Sequence, residues 1–99
     1  MSDVTVTLDL DVKPEAIDAM CAGLPDMLKD TATRPGFVDI RVVRQPNSTK
    51  VLFVERWESE QAYQDYIAWR TERGDMDGFA QALNTPPQIT VWPVTVASA

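Results

Sequence analysis

The sequence predicts an α+β domain, with a four-stranded antiparallel sheet covered on one face by helices, in the order β-α-β-β-α-β. Three observations carry this. Val4-Thr5-Val6-Thr7-Leu8-Asp9-Leu10 alternates apolar and polar residues without a break, which is the pattern of a half-buried strand. Two β-rich runs, Phe37 to Arg44 and Val51 to Trp57, are separated only by the turn-forming Gln45-Pro46-Asn47-Ser48-Thr49-Lys50 and so form an antiparallel hairpin. Segments of helical period lie before and after that hairpin, and a final apolar run, Gln88 to Val96, supplies the fourth strand.

The first helix opens at Val12-Lys13-Pro14-Glu15, where proline's missing N–H costs nothing and Glu15 and Asp18 suit the positive end of the helix dipole. Ile17, Cys21, Leu24 and Leu28 form its apolar stripe, with Met20 and Met27 beside them. Pro25 removes one backbone donor and crowds the carbonyl of Cys21, which predicts a kink or a split there. Arg34-Pro35-Gly36 stops the helix.

Along the hairpin's first strand, Phe37 and Val43 fall on one side and Val38, Ile40 and Val42 on the other. Phe53 and Trp57 oppose Leu52 and Val54 on the next strand, so both faces of the sheet are partly apolar. Ser59 is a good N-cap for the second main helix, whose inner side carries Ala62, Tyr63, Tyr66, Ile67 and Arg70. Gly74 ends it. Asp75 to Asn84 predicts a short third helix with Met76, Phe79, Ala80 and Leu83 inward. Pro93 inside the last strand predicts an edge position, a bulge or an early end to pairing.

The 99 residues fit one domain, spanning 1–99, with Val96-Ala97-Ser98-Ala99 the stretch expected to be disordered. Two helices leave one apolar sheet face uncovered, and a second copy related by a two-fold axis is the simplest cover. The expected partner is therefore the chain itself, as a homodimer. A net charge of −6 argues against nucleic acid as a partner. No apolar run reaches the length of a membrane span, and Met1-Ser2-Asp3 lacks a signal peptide's basic start, so a cytoplasmic protein is expected. The lone Cys21 agrees with a reducing compartment and reads as a buried, inert thiol.

The chain has no histidine. Serine–histidine and cysteine–histidine nucleophiles are excluded, histidine-ligated haem is disfavoured, and a zinc site is improbable. No metal and no cofactor are expected.

Val51-Leu52-Phe53-Val54-Glu55-Arg56-Trp57-Glu58-Ser59-Glu60-Gln61-Ala62-Tyr63 resembles the antibiotic biosynthesis monooxygenase family, in which a strand ending in Glu-x-aromatic leads into a helix through a Ser-x-x-Ala start. Pro35-Gly36-Phe37 is similar to that family's turn before the second strand. The element order agrees over nearly the whole chain, while the specific motif covers about a quarter of it. The resemblance implies a dimeric α+β barrel of ferredoxin-like protomers. It also implies oxidation of a quinol or polyhydroxylated aromatic by dioxygen, without metal or flavin. Related members degrade haem or act as isomerases. Many relatives carry a histidine on the second helix near Tyr66, and haem-degrading relatives have a tryptophan there with a histidine near Met76. Tyr66 and Met76 depart from both patterns.

Cofactor-free oxygenation needs a dry pocket, a way to take a phenolic proton and a charge to hold the anion. Tyr66 and Arg70 are the candidate catalytic residues, against the alternatives of a core-edge tyrosine and a surface ion pair with Glu72 or Asp77. Trp57, Trp69, Arg73, Met76 and Phe79 are the candidate substrate-binding residues, with Trp92 a further possible member of an aromatic wall. Core packing is the plain alternative for the tryptophans and methionines. Of Glu55 and Arg56 one must face inward, with a salt bridge across a dimer interface the favoured role for the pair. Two other functions remain open: a non-catalytic binding dimer, or an isomerase or lyase using an inward pair such as Glu55 with Arg70.

Overall fold

A computed structural model describes residues 3–99, so Met1 and Ser2, considered above for a leader, lie outside the described residues. The elements follow as β1 (Val4–Asp11), α1 (Ile17–Thr31), β2 (Phe37–Arg44), β3 (Lys50–Trp57), α2 (Glu60–Glu72), α3 (Asp75–Gln81) and β4 (Gln88–Trp92). The sheet order is β2-β3-β1-β4, and every pairing is antiparallel. This is the predicted ferredoxin-like arrangement, with α3 added before the last strand.

The alternation in β1 does what its sequence demands. Val4, Val6, Leu8 and Leu10 are buried against the helices, while Thr5, Thr7 and Asp9 face the other way. In β3 the same alternation turns Val51, Phe53, Glu55 and Trp57 inward, and all four are buried. Ile17 and Leu24 of α1 and Tyr63 and Tyr66 of α2 complete the core.

Several local expectations are corrected. Pro25 does not split α1, which runs unbroken from Ile17 to Thr31 with the proline on its exposed side. Regular helix begins at Ile17 because Lys13 to Ala16 forms a turn closed by Ala16 N–H donating to Lys13 O at 2.9 Å. Phe37 does not share a face with Val43. A β-bulge between Phe37 and Asp39 resets the register, so Phe37 opposes Trp57 on the core side with Ile40 and Val42. α3 ends at Gln81, short of the expected Asn84, and Ala80 lies on its exposed side. Strand β4 stops at Trp92, and Val94 and Val96 are exposed rather than paired, since Pro93 has no N–H to continue the ladder. Cys21 is half-buried and lies 3.7 Å from an Arg44 guanidinium nitrogen.

Two turns hold the layers in place. Gly36 has φ +82°, and a Cβ there would overlap the Ala62 side chain, so glycine lets the β2 entry pass directly against α2. Ser59 caps α2, its hydroxyl accepting from Ala62 N–H at 3.1 Å. The far end of β1 is tied to the end of α3, with Lys13 N–H donating to Ala82 O at 2.8 Å and Asn84 N–H donating to Asp11 O at 2.8 Å.

Candidate functional site

A narrow cavity lies between the sheet and the helices, with about 50 Å³ of room inside it. Leu8 and Phe53 form its floor from the sheet, Met27 and Leu28 close it from α1, and Tyr63, Tyr66 and Ile67 wall it from α2. Met76 and Phe79 of α3 cover it. Three charged side chains reach this apolar lining: Glu55, Arg70 and Asp75.

Arg70 is 5% exposed and fully engaged. Its Nε donates to the Tyr66 hydroxyl at 3.1 Å, one terminal nitrogen to Asp75 at 2.9 Å, and the other to Met27 O and Thr31 Oγ1, both at 3.0 Å. Tyr66 and Thr31 hydroxyls share a further hydrogen bond of 2.9 Å. Burial works against the charge of Arg70, but its bonds to Tyr66 and Asp75 outweigh that and keep it firmly protonated. Asp75 also meets Arg73 Nε at 3.3 Å. The arginines therefore pair with Asp75, and not with Glu72 or Asp77.

Glu55 has a different setting. It is 3% exposed, opposite Val6 of β1 and Ile40 of β2. Its Oε1 accepts from the Trp57 indole at 2.8 Å. Burial raises its carboxyl to about 7, and the Trp57 bond only partly opposes the rise. Next to it, the Tyr63 hydroxyl is buried with no hydrogen-bond partner among the described residues. Burial, then the charge of Glu55, then Tyr66 push its ionisation well above the ordinary tyrosine range.

The predicted residues divide into three groups. Tyr66, Arg70, Met76 and Phe79 line the cavity together. Trp57 lies beneath it, fully buried, packed edge-on against Phe37 and 4.9 Å from the Tyr66 ring. Trp69 and Arg73 stand outside it. Guanidinium groups of Arg34, Arg70 and Arg73 surround the Trp69 indole at 4.3, 4.9 and 4.5 Å from its centre. Trp92 is on the opposite face of the sheet, 54% exposed, donating to Thr7 Oγ1 at 3.0 Å. The three tryptophans thus form no common wall. Arg56 also faces that outer side and pairs with Asp39 and Asp3 rather than with Glu55.

From the sequence, Glu55 is a candidate only as half of an inward pair with Arg70 or as a base that burial would have to raise, and Tyr63 reads as a core residue. A signal for Glu55 was present: Phe53, Glu55 and Trp57 share one parity, and the two aromatics mark that side as core. Tyr63 lies one turn before Tyr66 on the same helix face, but no pattern says which hydroxyl goes unbonded. Thr31 and Asp75, which complete the arginine's bonding, depend on how three helices meet.

The sequence profile of the antibiotic biosynthesis monooxygenase family matches residues 3–71. The chain belongs to this family. A conserved protein of Methanosarcina mazei has the same fold, with a TM-score of 0.84 at 18% identity over 96% of this chain and 95% of that one. A protein of Mycobacterium tuberculosis is similar at 25% identity, with a TM-score of 0.74 over 98% of this chain and 100% of that one. A Streptomyces coelicolor monooxygenase, solved with the ligand nanaomycin D, superposes with a TM-score of 0.77 at 19% identity, covering 98% of this chain and 91% of that one. No functionally curated protein is a significant match. Among the described residues no helix is long and apolar enough to cross a membrane, and no cluster of histidine, cysteine and carboxylate side chains has the makings of a metal site.

Proposed function

We propose that the chain is a cofactor-independent monooxygenase that oxidises a quinol or a polyhydroxylated aromatic with dioxygen, working as a homodimer in the cytoplasm. Membership of the monooxygenase family supports the reaction class. The observation that carries the substrate class is the Tyr63 hydroxyl, unpartnered among the described residues, in an aromatic-walled cavity that Glu55, Arg70 and Asp75 also reach. A buried hydroxyl without a partner costs about 1–3 kcal/mol, and a substrate hydroxyl would recover it.

Arg70 and Tyr66 are the proposed catalytic pair. Arg70 supplies a fixed positive charge at the cavity wall, which favours an aryloxide over a neutral phenol. Tyr66 presents its ring to the bound aromatic and, through its hydroxyl, holds Arg70 in place. Met76 and Phe79 contact the substrate from α3 and yield to admit it. Trp57 supports the Tyr66 ring from below, Trp69 bears on the substrate through Tyr66 and Arg70, and Arg73 through Asp75. An electron-rich aryloxide then meets dioxygen with water excluded.

The small volume of the cavity favours one other reading, a dimer that binds a small molecule without turning it over. Oxygen uptake separates the two. Metal-free protein, with no added flavin, is offered a panel of reduced quinols and dihydroxyaromatics, and autoxidation is subtracted. Uptake above background that falls in Tyr63→Phe supports the monooxygenase. Binding of the same compounds with no uptake would leave the binding dimer.

A further inference from the structure

We infer that Glu55 is the base that removes the hydroxyl proton of the aromatic substrate, with the Tyr63 hydroxyl donating a hydrogen bond to the oxygen that becomes anionic. This deepens the proposed function and rests on the cavity being a phenol site.

Glu55 is a carboxyl in the middle of the sheet, between Val6 and Ile40 on the neighbouring strands, on the face that packs the core. The buried Trp57 indole calls for an acceptor there, which a neutral glutamine would supply as well as an acid. Its one hydrogen bond among the described residues comes from the Trp57 indole, on Oε1. Arg56 and Arg41 on β3 and β2 face the other side of the sheet, and the cation that lines the cavity with Glu55, Arg70, is already committed to Asp75, Tyr66, Thr31 and the Met27 carbonyl. A buried carboxyl without a counter-cation is expensive for folding, and such groups cluster where proton transfer is the task. The charged and titratable groups facing it are Tyr63, Tyr66 and Arg70 from α2 and Asp75 from α3; Met27 and Leu28 of α1 and Ile40 of β2 bring none.

Glu55 and Tyr63 line the same cavity without bonding one another. A substrate hydroxyl entering between them can accept from Tyr63 and donate to the free oxygen of Glu55. The step balances as a proton transfer alone. The substrate O–H bond breaks, its electron pair stays on oxygen, and the proton forms a new O–H on the Glu55 carboxylate. The net charge of the cavity is unchanged by the transfer, the negative charge passing from Glu55 to the substrate oxygen. Burial raises the carboxyl to about 7, so both of its forms are present near neutral pH and its carboxylate is a better base than an exposed one.

Glu55→Gln keeps an oxygen for the Trp57 indole but cannot take up a proton. With an oxidised substrate, it is expected to lower kcat by about 10²–10⁴-fold with little change in KM, and to abolish an acid limb near pH 7. A readout independent of turnover is the absorbance of bound 4-nitrophenol followed from pH 5 to 10. If Glu55 shares the ligand's proton, the bound phenol of the wild type ionises in two steps with a plateau between them. In Glu55→Gln it ionises in one. A single step in the wild type, or an unchanged two-step curve in the variant, would overturn the role of Glu55 while leaving the cavity a phenol site. The wild-type curve decides the matter even if the variant does not fold. Failure of the wild type to bind the probe at all would overturn the phenol site itself, and this inference with it.

Discussion

Tyr63 and Tyr66 sit one turn apart on the inner face of α2, yet only one of their hydroxyls is bonded. Tyr66 is held by Thr31 and Arg70. Tyr63 has no partner among the described residues. Replacement by phenylalanine should therefore act in opposite senses. Tyr66→Phe leaves a buried guanidinium N–H unsatisfied and should cost about 1–3 kcal/mol in urea unfolding. Tyr63→Phe removes an orphaned polar group and should leave stability unchanged or slightly raised, while oxygen uptake and phenol affinity fall. Equal loss of stability in the two variants would mean that the Tyr63 hydroxyl is satisfied in solution. Glu55 adds a pH dependence with a definite sign. Its carboxyl titrates at about 7 in the folded chain, above the ordinary 4.5. Between those values the folded state binds more protons than the unfolded one, so this residue's contribution to stability is full below pH 4.5 and is lost as pH rises to about 7. Glu55→Gln should match the wild type most closely in acid and gain on it by up to about 3 kcal/mol above neutrality. Denaturant midpoints of both proteins from pH 4 to 8 measure this. A constant difference across that range would show that the carboxyl is not raised. Strand alternation from Phe53 and Trp57 is enough to read from the sequence that Glu55 points inward. The unbonded state of Tyr63 is not legible there, because it depends on where Thr31 and Arg70 meet.

At the scale of elements, α1, α2 and the hairpin follow their sequence patterns because each has a capping or stopping residue and a buried stripe. The β2 bulge escapes such reading: it inserts one residue into a strand whose apolar pattern runs on both faces, so either register looks plausible. Gly36 at its entrance is more legible, and its requirement is stringent. Gly36→Ala combines a positive φ with overlap on Ala62, and should destabilise the fold by about 1–3 kcal/mol or more. A thermal midpoint equal to the wild type would show that the β2 entry can move away from α2 at no cost. The element that bears on function is α3. It has no buried residue of its own, begins at Gly74 with φ +80°, and is latched by Asp75 to Arg70 and Arg73. A cavity with about 50 Å³ of room takes a water or two but not an aromatic ring, so Met76 and Phe79 must retreat for substrate to enter. Amide hydrogen exchange should be faster in α3 than in α1 or α2, and faster again in Asp75→Asn. Protection of α3 equal to that of α2 in both proteins would place the entrance elsewhere.

The whole molecule is unbalanced across its sheet. Helices cover one face. The other carries Leu52 and Val54 at its centre, Val43 and Trp92 towards its edges, and Thr5 and Thr7 between them. Val43 is 42% and Trp92 54% exposed. Of the charges on this face, Arg56 pairs with Asp39 and Asp3, while Asp9 and Arg41, opposite Leu52 and Val54, are of opposite sign and available to pair across an interface. A chain of 99 residues has little core to spare, and covering this surface with a second copy would add apolar burial at no cost in chain length. Light scattering after gel filtration should give twice the chain mass at micromolar concentration. Val54→Glu should yield the monomer, because two-fold symmetry would bury a carboxylate from each protomer in the same apolar layer. Gln64→Glu, on the exposed side of α2, serves as the control and should remain dimeric. A wild-type monomer would refute self-association. A Val54→Glu dimer would move the contact off the sheet and leave the exposed surface of Leu52, Val54 and Trp92 without a cover.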